Sequence, residues 1–490
     1  MARPPANWRV SHLRRSLGSR YAAGGTDAES RERAPAADAL HRIAGRVGHT
    51  ASRLGSLWRE APVRAHDDSS LSTEDVSRFL RDCGAVLCRA GETTQRVEEV
   101  IVKLGARYGM PRVHAFVLPT GVFVRIGDGP GATMDFTPVR TDELRLDQVG
   151  ELYEFLDELL HERLVPPDEG RRRLAEIEAR PPRFPAVLRI AGYVVLTVGL
   201  GMLTYPNPMA LVGYAALGLA VGLLRQVVAG PLRLFSLALP VVAAIVVTVL
   251  AYRFSGPLLG ESASKVIIPP LLAFLPGAAL TMGTMELATG SIVSGTSRLV
   301  YGVNVLVLLA FGISIGAQLM TEHPVPAGTH LPSFGAWSAW AGAVLLGVGF
   351  ALNSSAPLVT LPWLLTVLLV VETVQQIGRS LGGTLVGAFL GGIALPLIAR
   401  VVEQWRSAPP AQVTFLPAFW MLVPGSLSLT GVGELIEGHA SDGLLTTVNA
   451  LLTVVAVALG VMVGASVLHR GGGVEAADED ESEGEATQQP

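Results

Sequence analysis

Between Arg183 and Arg470 the chain runs through ten long apolar segments, and few folds accommodate that pattern. The segments are Ala186–Tyr205, Pro208–Leu224, Leu234–Tyr252, Val266–Leu287, Leu299–Leu319, Ala336–Leu352, Pro357–Val371, Leu381–Val402, Val413–Ile436 and Leu444–Leu468. A helix needs about 20 apolar residues to cross a bilayer, and it satisfies its own backbone groups there. The pattern therefore predicts a polytopic α-helical membrane protein with ten transmembrane helices, the second, sixth and seventh being short. Only 16% of the residues are charged, against about 25% in soluble domains. Loop charges set the orientation. With the N-terminal region inside, the inner loops hold Arg225, Arg233, Arg298, Arg400, Arg406 and Arg470, and the outer loops only Arg253, Lys265 and Arg379. That bias predicts cytosolic N- and C-termini. Arginine outnumbers lysine, which occurs only at Lys103 and Lys265, and the chain is rich in Ala, Gly and Pro. This composition suggests a bacterial source and hence a bacterial plasma membrane.

The flanks divide into tails and a domain. Residues 1–70 are Arg-, Ala-, Gly- and Ser-rich without a sustained period and read as a disordered basic tail. Residues 470–490 read as a disordered acidic tail. Between the basic tail and the first span, residues 71–183 read as a small cytosolic α+β domain. Ser72 with Asp75 resembles a capping box, followed by Val76, Phe79, Leu80, Cys83 and Leu87 at helical spacing. A second helix carries Val97, Val100, Ile101 and Leu104. Three strands are expected at Val113 to Leu118, Val122 to Ile126 and Thr133 to Val139, then helices near Leu146 to Leu164 and Asp168 to Ala179.

The spans repeat. Shifted by 148 residues, the first five segments fall on the last five, dividing the membrane part into residues 184–320 and 334–469. Gly199 and Gly201 fall on Gly347 and Gly349, and Pro276-Gly277 on Pro424-Gly425. Gly283, Glu286, Leu287 and Gly290 fall on Gly431, Glu434, Leu435 and Gly438. Five spans is an odd number, so the second half enters the membrane the opposite way up. Such inverted repeats are a common plan of secondary transporters, with the site at the repeat interface on broken helices.

Candidate residues follow from that plan. Pro276 with Gly277 and Pro424 with Gly425 lie mid-segment, where proline removes a backbone donor and glycine relaxes the chain. Freed amides there suit a substrate carboxylate. The hydroxyls of Thr281, Thr284, Ser426, Ser428 and Thr430 lie around the breaks and suit an ammonium or hydroxyl group, although each can also bond back to its own helix. Glu286 and Glu434 stand about 15 Å beyond the breaks at 1.5 Å per residue. With Arg298 they are candidates for proton coupling or gating, because intramembrane acids are costly and usually functional. Glu372 and Asn304 are further polar residues inside apolar segments. In the soluble domain, Gly91, Glu92, Thr94, Arg96 and Glu98 sit at a helix junction, where they read either as a salt-bridged cap or as a regulatory contact with the membrane part.

Together these stretches resemble the threonine/serine exporter family. The resemblance rests on Gly91-Glu92-Thr93-Thr94-Gln95-Arg96-Val97-Glu98, Tyr108-Gly109 and Ala115-Phe116-Val117-Leu118-Pro119-Thr120 in the domain. In the membrane it rests on Leu275-Pro276-Gly277, Ser294-Gly295 with Arg298, and Val423-Pro424-Gly425. It implies export of threonine and serine across the plasma membrane, driven by protons. Some relatives are associated with dicarboxylates such as succinate, so that substrate class stays open.

Other classes find less support. No Gly-Lys-Ser/Thr phosphate loop is present, so ATP-driven transport is not expected. Cys83 and Cys88 match no zinc or haem spacing, and no metal, cofactor or nucleic-acid partner is expected. A membrane-anchored hydrolase would need a nucleophile paired with a base, and nothing in the sequence pairs His114 with a cysteine or serine. The chain is therefore not expected to be an enzyme. A homo-oligomer is left open.

Overall fold

The computed structural model describes residues 72–110, 112–140, 142–229, 238–259, 263–271, 274–320, 334–335, 337–405, 407–422, 431 and 440–470. The α+β elements and the apolar helices belong to one compact unit within Glu60–Leu468.

Helix α1 (Thr73–Arg89) buries the expected stripe of Val76, Phe79, Leu80, Cys83 and Leu87. Ser72 caps it by accepting from the Glu74 N–H at 3.2 Å, while Asp75 pairs with Arg78 instead of completing a capping box. Helix α2 (Thr94–Arg107) starts at Thr93, whose hydroxyl accepts from the Arg96 N–H, and buries Val97, Val100, Ile101 and Leu104. Strands β1 (Val113–Leu118), β2 (Gly121–Ile126) and β3 (Thr133–Pro138) form one antiparallel sheet in the order β1-β2-β3. Val117, Val122 and Val124 face the helices and are fully covered. Helix α3 (Leu146–Asp157) runs into a wide turn at Glu158–Glu162, and α4 (Pro167–Ala179) closes the layer. Arg89, 8% exposed, ties α1 to Asp142 (2.8 Å) and to Glu178 on α4.

The apolar helices are α5 (Ala186–Thr204), α6 (Ala210–Ala229), α7 (Leu239–Leu259), α8 (Ala263–Leu271), α9 (Gly277–Ala288), α10 (Ile292–Leu319), α11 (Ser338–Asn353), α12 (Leu361–Glu403), α13 (Ala411–Leu422) and α14 (Ala440–Arg470). Among the described residues, five helices are long and apolar enough to cross a membrane: Ala186–Thr204, Ala210–Val228, Ile292–Leu319, Leu358–Glu403 and Ser441–Leu468. Leu239–Phe254, Ser338–Asn353 and Ala411–Leu422 are shorter apolar helices.

Two of these elements differ from the sequence pattern in an informative way. The expected segment Val266–Leu287 is two helices: α8 ends at Leu271 and α9 begins afresh at Gly277, with Pro276 as its N-cap residue. Proline cannot continue the ladder, so the segment divides where Pro276 stands. Helix α12 joins the seventh and eighth segments and folds back at Gly382 and Gly383, where Gly383 adopts φ 82°. Only glycine takes that conformation cheaply. The two arms, 361–381 and 384–403, press together so closely that a Cβ on Gly378 would lie 2.7 Å from Gly387 Cα. The first arm continues past Val371 because Glu372 and Gln375 are buried rather than solvated.

Glycine-on-backbone contacts hold the helices, as is usual where no hydrophobic force drives apolar helices together. A Cβ at Gly199 would meet Gly342 O at 2.8 Å, and one at Gly349 would meet the Leu196 N, so α5 and α11 pack backbone to backbone. Three such contacts recur after 148 residues. A Cβ on Gly312 would meet the Val241 carbonyl, and one on Gly460 the Phe389 carbonyl. Gly316 is set against the Ile245 carbonyl, and Gly464 against that of Ile393. Gly283 is set against Gly295 O, and Gly431 against Gly443 O. Helix starts recur likewise: Ala263 and Ala411, Ile292 and Ala440.

Candidate functional site

The α+β elements dock on the turn between α9 and α10. At the start of α2, the first-turn N–H groups have no partner within the helix. The Thr94 N–H donates to Glu286 Oε1 at 3.0 Å, and the Thr94 hydroxyl donates to the same oxygen at 3.2 Å. A carboxylate from an apolar helix thus caps the positive end of a helix in the α+β domain, a favourable placement for negative charge. Arg298, on the first turns of α10, approaches the same carboxylate, with Nε 3.1 Å from Oε2 and 3.2 Å from Oε1. Its Nη2 donates to the Glu92 backbone carbonyl at 3.1 Å. The Glu286 side chain is 1% exposed and that of Arg298 14%, so this is a buried ion pair.

A second contact lies beside it. Strand β1 is the edge of the sheet, so its outward groups need partners from elsewhere. The Val117 N–H donates to Glu98 Oε1 at 2.9 Å, and its carbonyl accepts from the Ser294 hydroxyl at 3.2 Å. On the far side, Gly91 at φ 86° brings the α1–α2 junction against Leu416 of α13, and Gly150 faces Val413. A cavity of about 370 Å³ lies between α3 and the loops 357–360 and 409–413, bordered by Asp147, Glu151, Glu154, Arg180, Thr360 and Val413 among others.

These contacts decide how the Gly91–Glu98 stretch is built. The pairing expected among Glu92, Arg96 and Glu98 does not form: Arg96 pairs with Glu99 at 3.1 Å, and Glu98 serves Val117. The Glu92 carboxylate accepts from the Tyr153 hydroxyl. Burial pushes the Glu92 carboxyl above the ordinary carboxylate range, partly opposed by Arg96. An acid raised in this way contributes most below its ordinary value, and that contribution is lost as pH climbs through the raised one. Replacing Glu92 by glutamine is expected to flatten the pH dependence of thermal stability on the alkaline side of that range, which a melting series across pH reads directly.

Around the Pro276 break, Pro276 and Gly277 are buried. Thr281 is fully buried and its hydroxyl has no hydrogen-bond partner, whereas the Thr284 hydroxyl donates back to Leu280 O at 2.9 Å. The counterparts Pro424, Gly425, Ser426, Ser428, Thr430 and Glu434 lie outside the described residues. Burial pushes the Cys83 and Cys88 thiols up to about 12, so neither is a thiolate nucleophile at neutral pH.

The sequence named Glu286, Arg298 and Thr94 without joining Thr94 to the other two. The Glu286–Arg298 pair carried a readable signal, since the two stand on either side of one short helix–turn–helix. Thr94 lies 192 residues from Glu286 and no local period points to it. Ser294 and Val117 appeared only inside their motifs.

Residues 78–320 match a family model described as "Putative threonine/serine exporter". The chain belongs to the threonine/serine exporter family. The match runs from α1 to the end of α10 and so contains both sides of the docking contact, Thr94 and Glu286 with Arg298.

Relatives of this family member include pheromone-regulated membrane protein 10 of three yeasts. That of Debaryomyces hansenii is 28% identical over 250 residues, covering 49% of this chain and 24% of the relative. That of Candida albicans strain WO-1 is 25% identical over 379 residues, 72% and 32% of the two chains. That of Eremothecium gossypii is 23% identical over 435 residues, 84% and 57%. The chain thus spans between 24% and 57% of the length of these curated relatives. No solved structure matches. The relatives overturn the expectation of a bacterial plasma membrane, because they are yeast membrane proteins. Arginine and alanine usage reflects nucleotide bias and carries no information about which membrane a helix enters. A multi-pass membrane location stands.

Proposed function

We propose that this exporter-family chain is a secondary transporter that exports threonine and serine and is driven by the proton gradient. In this reading ten spans form two five-helix inverted repeats, with α12 supplying two spans, α8 with α9 one, and α13 part of another. The observation that carries the reading is the recurrence, 148 residues apart, of the contacts Gly312–Val241 and Gly460–Phe389, Gly316–Ile245 and Gly464–Ile393, and Gly283–Gly295 and Gly431–Gly443. Inverted repeats of this kind belong to transporters that alternate access by moving one unit against another.

The substrate site lies at the paired breaks. Pro276 and Gly277 open the first, Thr281 offers its unpartnered hydroxyl, and Thr284 adds a second hydroxyl after rotation away from Leu280 O. By the 148-residue offset in the sequence, Pro424, Gly425, Ser426, Ser428 and Thr430 are assigned to the matching half. No lysine or arginine stands among residues 274–284, which favours a zwitterion over a dicarboxylate. Glu286 and Arg298 act as a gate latched by Thr94, with Gly91, Glu92, Arg96 and Glu98 shaping the domain side of the latch. Glu434 is the matching carboxylate on the other half.

The test is efflux of labelled threonine from preloaded proteoliposomes, with and without an imposed proton gradient, with succinate as competitor. Gradient-dependent efflux that succinate leaves intact supports the reading, whereas block by succinate moves the substrate to dicarboxylates. Pro276→Ala combined with Gly277→Leu is expected to abolish export at equal membrane insertion. Normal flux in that variant would remove the broken-helix site.

A further inference from the structure

We propose that Glu372, on the first arm of α12, is the residue that binds and releases the coupling proton, an inference that rests on the transporter reading above. Two carboxylates in the apolar helices are 1% exposed among the described residues, Glu286 and Glu372. Their surroundings differ in kind. Glu286 receives hydrogen bonds from a guanidinium, a backbone N–H and a hydroxyl, and the guanidinium can only donate. That site is an ion pair built around a hydrogen-bond acceptor.

Glu372 is held by side-chain amides. Its Oε1 accepts from Gln376 Nε2 at 2.6 Å. In the orientation that satisfies both its ends, Gln375 donates from Nε2 to Glu372 Oε2 at 3.2 Å and accepts from Arg379 Nη2 at 3.2 Å. The Gln375 oxygen is held by Arg379, which can only donate, but the Gln376 amide carries both a donor and an acceptor, so a half-turn of Gln376 lets it accept from a carboxylic acid as readily as it donates to a carboxylate. The Gln376 side of this pocket can therefore be satisfied in both protonation states. The step is a simple transfer: a proton from one side neutralises the carboxylate, and the acid later returns it to the other side, with no other bond made or broken.

The charged groups around the site are few. Helices α11 and α13, which pack on α12, carry no charged residue over Ser338–Asn353 and Ala411–Leu422. On the second arm Arg400 and Glu403 pair with each other at its far end. On α14, Asp442 is exposed at the start of the helix. Arg379, on the same arm, is the cation that faces the cluster through Gln375. The cluster also lies close to the end of α13. A Cβ on Gly391 would lie 2.7 Å from Leu422 Cδ2 and 3.5 Å from Gln375 Cβ, and Leu422 stands two positions before Pro424 in the sequence. A change of charge at Glu372 is thereby placed where it can be felt at Leu422 of α13.

The experiment compares full-length wild type with Glu372→Gln and Glu372→Asp in proteoliposomes. In wild type, a gradient of about one pH unit sustains a threonine ratio of up to about tenfold per coupled proton. In Glu372→Gln that ratio is expected to fall to about one, with exchange persisting at a rate that no longer varies with pH, and Glu372→Asp to restore coupling. Infrared difference spectra of the purified protein supply a readout independent of flux: a carboxylic-acid carbonyl band that titrates with pH in wild type and is missing in Glu372→Gln. Wild-type accumulation retained by Glu372→Gln would overturn the proposal and leave the transporter reading standing. Absence of any wild-type flux would remove the transporter reading, and the infrared band alone would then decide, its persistence in Glu372→Gln overturning the assignment.

Discussion

Arg298→Ala is expected to destabilise the protein by about 3–5 kcal/mol, because it leaves the Glu286 carboxylate buried and unpaired. The geometry makes the ion pair one-sided. Glu286 is almost wholly enclosed, so it cannot recover its lost partner by turning to water. Arg298 also holds the Glu92 carbonyl, and that acceptor would lose its donor as well. Removing both charges, as in Glu286→Gln with Arg298→Gln, is expected to recover most of the loss, since the glutamine at 286 still accepts from the Thr94 N–H and hydroxyl. Thermal unfolding of the three detergent-purified variants measures this directly. If the double variant is as damaged as Arg298→Ala, the loss comes from packing of the long arginine stem and not from the orphaned charge.

A comparable effect is expected where α5 and α11 touch through their backbones. Gly349→Leu would force a side chain into the space now filled by the Leu196 N and the Gly192 carbonyl. Overpacking ordinarily costs about 1–3 kcal/mol. Here the obstructing atoms are backbone, which cannot rotate aside, so the upper end of that range or beyond is expected, with little protein surviving purification as a single species. Gly131→Ala, where an added Cβ meets nothing within 4 Å, is the matched control and should melt as wild type does. Equal melting of the two variants would mean that α5 and α11 are not packed this closely.

The helices and the three-stranded sheet were legible because each announces itself locally. Val76, Phe79, Leu80, Cys83 and Leu87 recur at the helical period, and glycine-rich turns separate the strands. The break at Pro276 was legible because proline acts on its own backbone wherever it stands. The 148-residue offset was legible because Pro276-Gly277 and Pro424-Gly425 are written out in the sequence. The docking contact was not legible, since Thr94 and Glu286 are joined by the fold alone. The length of the first arm of α12 was misjudged at Val371 for a related reason. Glu372, Gln375 and Arg379 look like the polar end of a span, but the first two are buried by the returning arm. Hydropathy counts polarity and cannot see which residues a hairpin will cover. The expected pairing of Arg96 with Glu92 or Glu98 failed because Val117 and Tyr153, from distant elements, claimed those carboxylates.

The α+β domain is fastened at two places of very different strength. On one side stand the Glu286–Arg298–Thr94 contact and the Ser294–Val117 hydrogen bond, all buried and polar. On the other, Leu416 and Val413 merely rest against Gly91 and Gly150. Dispersion contacts of that kind are worth about 0.1–0.2 kcal/mol per atom pair and re-form after sliding, whereas separating a buried ion pair exposes its full desolvation cost. A rigid body gripped on one side and only leaned upon on the other must follow the grip. Any shear between α10 and α13 would therefore carry the domain along as a passenger of α10, dragging the α3 side of the 370 Å³ cavity across the loops at Thr360 and Pro410. The width of that cavity would then report the displacement of one set of helices against the other.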